Sequence, residues 1–382
     1  MKLNQIFYQI CQFVGIVFIV FILTLLDLSS VCAQEDTRGI STDTVKIGAI
    51  LDQTGPICDT SLPITEGMKN YIRHINDTGG IHGRRIKLIV EDDRYSIPMA
   101  VGAFKKLLFK DKVLAILGLG GTGQTKVLYP HMKKYKVPGI TIGLTEDMIK
   151  PHKQYLFIPS ATYEDEIKVI FKYIVDELRP KDLRMGFITL NIEYGKVGWK
   201  AAVETAKTHG IEIIDKEIIN FGAADAVSQV LGLKKKRANV VILHQDIGTA
   251  LVFLKSAKKL GYTGTFIGTY YVTDDTVVRL TGEAAQSLIG VHSLASWHEE
   301  TPGMTQLREI TLKYNSGFKE AMRNKFYTQG WVTALITAEG MKKAGRSLTI
   351  ESLVNGIESL KNLDTGGITA PITYSKTSHK PG

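Results

Sequence analysis

Cysteine is scarce: the 382 residues hold three, and two of them, Cys11 and Cys32, lie in an apolar N-terminal segment. If that segment is removed on export, only Cys58 remains, which excludes an intrachain disulfide and a cysteine zinc cluster. Cys58 stands beside Gly55-Pro56 without a His or Asn in a protease-like signature, so an inert loop thiol is expected. Long apolar runs are scarce too. The single one is Phe13 to Leu26, with Lys2 before it and the small-residue pattern Val31-Cys32-Ala33 behind it. It is short for a membrane span and reads as a secretory signal peptide over residues 1–33, cleaved after Ala33. An uncleaved anchor is the alternative, and Val31 argues against lipidation at Cys32. Runs of one charge sign are almost missing. The net charge of +9 is spread along the chain, and the one dense run, Lys234 to Arg237, closes a short helix where cations suit the dipole, so nucleic acid is not an expected partner.

What the chain does have is glycine at one telling place. In VLAILGLGGTGQTKVLYPHMKKY, Val113 to Tyr135, a buried-type strand hands over to a helix through Gly118, Gly120, Gly121 and Gly123. The amides and hydroxyls of Thr122, Gln124 and Thr125 gather there at a positive helix start, which favours a carboxylate or phosphate. The segment also spells G-x-G-x-x-G, with Glu146 about twenty residues on, the mark of nicotinamide binding. A dinucleotide fingerprint normally opens its fold on the first strand, however, and two strand-helix units precede this one. The next strand, Pro138 to Ile142, exits through Gly143-Leu144-Thr145-Glu146, a second amide and hydroxyl cluster at the same sheet edge. Glu91-Asp92-Asp93 ends an earlier strand; contiguous acids point to alternate faces, so they are expected to fix a loop rather than hold a metal.

Strands and helices alternate from Val45 to Glu146 and again from Tyr155 to Gly268, which predicts an α/β protein of two doubly wound parallel-sheet lobes. Beyond Leu288-Ile289-Gly290-Val291 come three helices, near 305–315, 329–344 and 349–360, as if the chain returns to finish its first lobe. The expected division is residues 44–160 plus 292–365 for the first lobe, and 161–291 plus 366–382 for the second.

The segments VKIGAILDQTGP, EGMKNYIRHINDTGGIHGRRIKLIVEDD, AILGLGGTGQT, PGITIGLTE, NIEYGKVGW and GGITAPITYSKTSHKPG together resemble the branched-chain amino acid class of periplasmic binding proteins, the type I receptors of ABC importers. The resemblance implies two lobes joined by three crossovers and a hinged cleft that closes on one small solute. It implies that Thr122 and Thr145, with the amides around Gly121 and Gly143, hold a carboxylate from the first lobe. Tyr194 would close over the ligand from the second lobe, Asp246 and Tyr270 would complete the site, and Tyr327 would be near a lining aromatic.

Three departures stand out. Tyr270, followed by Tyr271, occupies the place of the family's acid for the α-ammonium. Tyr95 and Gly121 stand near the two halves of its early disulfide. The chain reaches His379-Lys380-Pro381-Gly382 where the family still runs a strand, so an open edge on the second sheet is expected. The function implied is a secreted solute receptor, with no catalytic residues, cofactor or metal, delivering a small carboxylated solute to the membrane permease of an ABC importer. An amino acid requires Asp246 or Glu146 to replace the lost acid. An aromatic acid would instead use Tyr270, Tyr271, Tyr194 and Tyr327 as a wall. A ligand-sensing domain and, further off, a nicotinamide oxidoreductase are the other classes.

Overall fold

The computed structural model describes residues 37–381, so the signal-peptide reading of residues 1–33 lies outside the described residues. Strand β1 (Thr44–Leu51) is buried along almost its whole length, as a strand covered by helices on both faces must be. It lies between β2 (Arg85–Asp92) and β3 (Ala115–Leu119), with β4 (Gly139–Thr141) and β5 (Leu156–Phe157) beyond β3, all parallel in the order β2-β1-β3-β4-β5. The second sheet, also parallel, holds β6 (Met185–Thr189), β7 (Ile213–Ile218), β8 (Val240–His244), β9 (Thr265–Gly268) and β10 (Leu288–Gly290) in the order β10-β9-β8-β6-β7. Two parallel-sheet α/β lobes result, as expected, each of five strands, with β7 and β10 at the edges of the second sheet. No helix among the described residues is long and apolar enough to cross a membrane.

Eleven helices flank the sheets among the described residues: α1 (Cys58–Asp77), α2 (Ile97–Lys105), α3 (Thr122–Tyr135), α4 (Tyr163–Tyr173), α5 (Glu193–Thr208), α6 (Val227–Lys235), α7 (Ile247–Lys259), α8 (Asp275–Thr281), α9 (Pro302–Tyr314), α10 (Lys325–Ala344) and α11 (Ile350–Glu358). Helix α1 buries Ile64, Met68, Tyr71, Ile72 and Ile75, one stripe at helical spacing. Each such side chain taken out of water contributes about 2 kcal/mol. That stripe meets α10, which the chain lays down some 260 residues later, with Tyr71 edge-on to Trp331 at 5.0 Å. Gly67 and Gly330 sit where the two backbones come closest: a Cβ built on Gly330 would fall 1.9 Å from the Ile64 oxygen, and one on Gly67 2.1 Å from the Tyr327 oxygen.

Helix α3 starts at Thr122, so Gly123, Gln124 and Thr125 belong to its first turn, while Gly118 lies in β3 and Gly120 and Gly121 join the two. Near the end of the described residues Leu363 and Ile372 form one isolated antiparallel bridge. The tail, expected in the second lobe, meets β5 of the first sheet instead. The Ile158 amide donates to the His379 oxygen at 3.1 Å, the Tyr374 hydroxyl donates to the Ile158 oxygen at 2.8 Å, and the His379 ring stacks on Phe157 at 3.8 Å. Tyr374 and His379 are buried there.

Candidate functional site

In parallel α/β sheets ligands bind beyond the carboxyl ends of the strands. Here those ends face one another across a cleft that is partly open to solvent. On the first lobe β3 runs through Gly120 into α3. Gly121 has φ +96, and a Cβ there would lie 2.4 Å from Gln124 Oε1 and 2.7 Å from a Tyr95 ring carbon, so glycine is required. Thr122 follows at the first helical position, 1 % exposed, its Oγ1 buried and making no hydrogen bond of good geometry to the described residues, with the Tyr163 hydroxyl as its one polar neighbour in looser reach. The first amides of a helix have no intrahelical acceptor, so the unpaired hydroxyl sits among donors at the positive end of a 14-residue helix. That arrangement accepts an anion.

The second lobe supplies the opposite wall. Tyr194, one residue into α5, stacks on His244 at 3.8 Å, and its hydroxyl donates to the Gln245 oxygen at 3.3 Å. Burial drives the His244 imidazole down to about 3, so this platform is neutral. Asp246 caps α7: its carboxylate accepts from the Gly248 amide at 2.9 Å, the Thr249 amide at 3.3 Å and the Thr249 hydroxyl. It is 7 % exposed, and burial holds its pKa above the usual carboxylate range. Between these polar ends lie Tyr95, Tyr163, Phe221 and Tyr271, with Tyr163 edge-on to Tyr194 at 5.0 Å and Tyr95 edge-on to Phe221 at 5.8 Å. The lobes also touch directly. Tyr271 donates to the Ile142 oxygen at 2.9 Å, and Lys126 on α3 reaches Glu193 on α5 at 2.6 Å and Asp147 at 2.7 Å.

Of the residues singled out from the sequence, Gly121, Thr122, Tyr194 and Asp246 line this cleft together, and the other four do not. Thr145 donates its hydroxyl to Glu164 at 2.7 Å and caps the turn at Glu146–Met148. Gly143 packs against the backbone of Thr122, and its amide is spent on Thr141 Oγ1 at 2.9 Å. Tyr270 is fully buried behind the cleft wall. Its amide donates to Glu166, itself buried and pushed up to about 8 by desolvation, and Lys325 lies over its ring at 4.5 Å. Tyr327 belongs to the core, its hydroxyl paired with Thr311 at 2.5 Å and its ring against Trp297 and Phe318. Glu146, the other candidate anchor, pairs with Lys150 at 2.6 Å and Lys380 at 3.0 Å away from the cleft.

Tyr95, Tyr163, Phe221 and Tyr271 are the aromatic lining residues that the sequence reading missed or left in second place, and Ile57, Thr60, Ile142, Leu190 and Ile192 complete the lining without having been candidates. Phe221 carried a signal: an aromatic in the polar turn Asn220-Phe221-Gly222, just after a strand, has no core to fill locally.

Comparison with known proteins extends over most of the chain. The periplasmic binding protein profile matches residues 44–382. The Leu/Ile/Val-binding protein homolog 7 of Brucella abortus (strain 2308) is 24 % identical over 332 residues, 84 % of this chain and 82 % of that protein. Among solved structures, a branched-chain amino acid ABC transporter protein from Thermus thermophilus with bound valine superposes with a TM-score of 0.83 at 22 % identity, covering 90 % of this chain and 92 % of that one. A fatty acid ABC transporter substrate-binding protein from Thermomonospora curvata gives 0.80 at 22 % identity, covering 91 % and 88 %.

Proposed function

The chain belongs to the periplasmic binding protein family, a family of solute receptors rather than enzymes, and on that premise we propose that its cleft takes an α-amino acid with an apolar side chain. The carrying observation is the pair of opposed polar ends in one apolar cleft: the unpaired Thr122 hydroxyl at the start of α3, and the Asp246 carboxylate across from it. The ligand carboxylate goes to Thr122 and the amides beside it. The ammonium goes to Asp246, which in this reading takes over the duty that Tyr270 cannot perform. A carboxylate oxygen accepts two hydrogen bonds, so Asp246 keeps acceptor capacity after capping α7. The side chain lies among Tyr95, Tyr163, Tyr194 and Tyr271. We assign the receptor an extracytoplasmic location, which the name of its family supports, and, as partner, the membrane permease of an ABC importer, which the ABC transporter proteins of similar structure support.

The aromatic lining favours a second ligand class, an aromatic acid without an ammonium. That ligand would leave the Asp246 charge enclosed without a cation, which costs several kcal/mol, and for this reason it ranks second. Calorimetry separates the two. Leucine or phenylalanine is expected to bind at micromolar affinity with benzoate inert; the reverse pattern refutes the assignment. Thr122→Ala removes a charge-assisted hydrogen bond of roughly 1.5 to 3 kcal/mol, so affinity should fall about tenfold to a hundredfold while the melting temperature of the empty protein stays in place. Unchanged affinity would take Thr122 out of the site.

A further inference from the structure

We propose that His152, Glu358 and His379 form a site for a divalent cation of the zinc class, remote from the cleft. The three come from far apart in the sequence: the loop before β5, the last residue of α11, and the C-terminal tail. Their nearest nitrogen and oxygen atoms lie within 4.8 Å of one another. His379 is 1 % exposed and Glu358 9 % exposed, while His152 faces solvent.

The hydrogen bonds of His379 carry the argument. Its Nδ1 lies 3.0 Å from the carbonyl oxygens of both Lys153 and Leu156. Carbonyl oxygens only accept, so Nδ1 carries the ring proton, and in the neutral ring Nε2 is left with a lone pair. That lone pair is aimed at Glu358 Oε1, 3.0 Å away. Two acceptors at this distance need something positive to share. A backbone carbonyl that fixes the tautomer of a histidine, leaving the other nitrogen free, is how proteins orient metal-binding imidazoles. The ring is held further by its stack on Phe157 at 3.8 Å, and His152 stands edge-on to it with 4.5 Å between ring centroids, adding a third donor at the same spot.

Two imidazoles and one carboxylate are a nitrogen and oxygen set suited to zinc, whose fourth position a water would take. The absence of a short ligand spacing explains why the sequence reading expected no metal. A bound cation would tie the tail to α11 and to the loop that leads into β5.

The alternative is a proton in place of the metal, a plain histidine-glutamate ion pair, and one experiment distinguishes them. The full chain, stripped with chelator and dialysed, is titrated with zinc chloride by calorimetry, beside His152→Ala and Glu358→Gln. His152 is exposed, so its replacement leaves the fold in place. One zinc per chain at micromolar affinity or tighter is expected, weakened at least about tenfold by either substitution. Zinc should also raise the melting temperature of the unaltered protein by more than that of His152→Ala at the same zinc concentration. No saturable uptake, or uptake that His152→Ala leaves unchanged, overturns the site. Cobalt(II) in place of zinc gives a second readout, visible absorption bands that the ion pair alone cannot produce.

Discussion

Gly330→Ala is expected to destabilise the protein by roughly 3 kcal/mol, and Gly67→Ala by a similar amount, read as a lowered denaturation midpoint. The sign is the informative part. Both glycines lie inside long helices, where alanine would ordinarily stabilise by about 1 kcal/mol. Here the added methyl would stand 1.9 Å from the Ile64 oxygen or 2.1 Å from the Tyr327 oxygen, and those are backbone atoms that no rotamer change can move aside. Helices α1 and α10 would have to separate along their contact, opening the buried surface around Ile64, Met68, Tyr71 and Trp331. A variant as stable as the parent, or more stable, would mean that the two helices do not approach this closely.

Asp246→Asn should abolish amino acid binding at ordinary concentrations, a loss of about a hundredfold or more, because an enclosed ammonium loses the one carboxylate among the described residues that line the cleft. The same change should leave the empty protein as stable or slightly more so at neutral pH. Burial raises the Asp246 pKa in the folded state, so its contribution to stability is fully present below the ordinary carboxylate pKa and is lost as pH rises through the raised value. Asparagine removes that charge and still caps α7. Ligand affinity runs the other way: the ammonium needs the ionised carboxylate, so leucine binding should weaken as pH falls through the raised pKa of Asp246. Calorimetry from pH 8 down to pH 4 tests this. An affinity independent of pH over that range, in a variant-insensitive way, removes Asp246 as the anchor.

The alternation of apolar runs was enough to read both sheets, because parallel strands covered on two faces leave little choice of residue; β1, β3, β6 and β8 are nearly continuous buried segments. Helix α8 was not read, since seven residues from Asp275 to Thr281 give barely two turns of periodicity. In the site the same division holds. Thr122 and Gly121 were legible because a glycine turn entering a helix has a local signature. Thr145 looked the same locally, but its fate depended on Glu164, a partner nineteen residues on that satisfies the hydroxyl. Tyr270 and Tyr271 are adjacent and chemically alike, and which one faces the cleft is set by the backbone turn that buries the Tyr270 amide on Glu166. The metal-ligand trio depended wholly on where the tail docks.

The bridge from Lys126 to Glu193 spans the two lobes with about a third of each side chain exposed. An exposed pair of this kind contributes little to the depth of binding, typically under 1 kcal/mol. Its weight falls instead on residence time, since the cleft must break it before a captured solute can leave. Salt screens such a pair, with a Debye length of about 8 Å at physiological ionic strength. The dissociation rate should therefore rise about two- to fivefold between dilute buffer and molar salt, and Lys126→Ala should show the faster rate at every salt concentration. Stopped-flow release of leucine against a fluorescent reporter measures it; a rate flat in salt for the unaltered protein would deny the bridge any hold on the gate. A receptor built this way sets its release clock by the ionic medium outside the membrane.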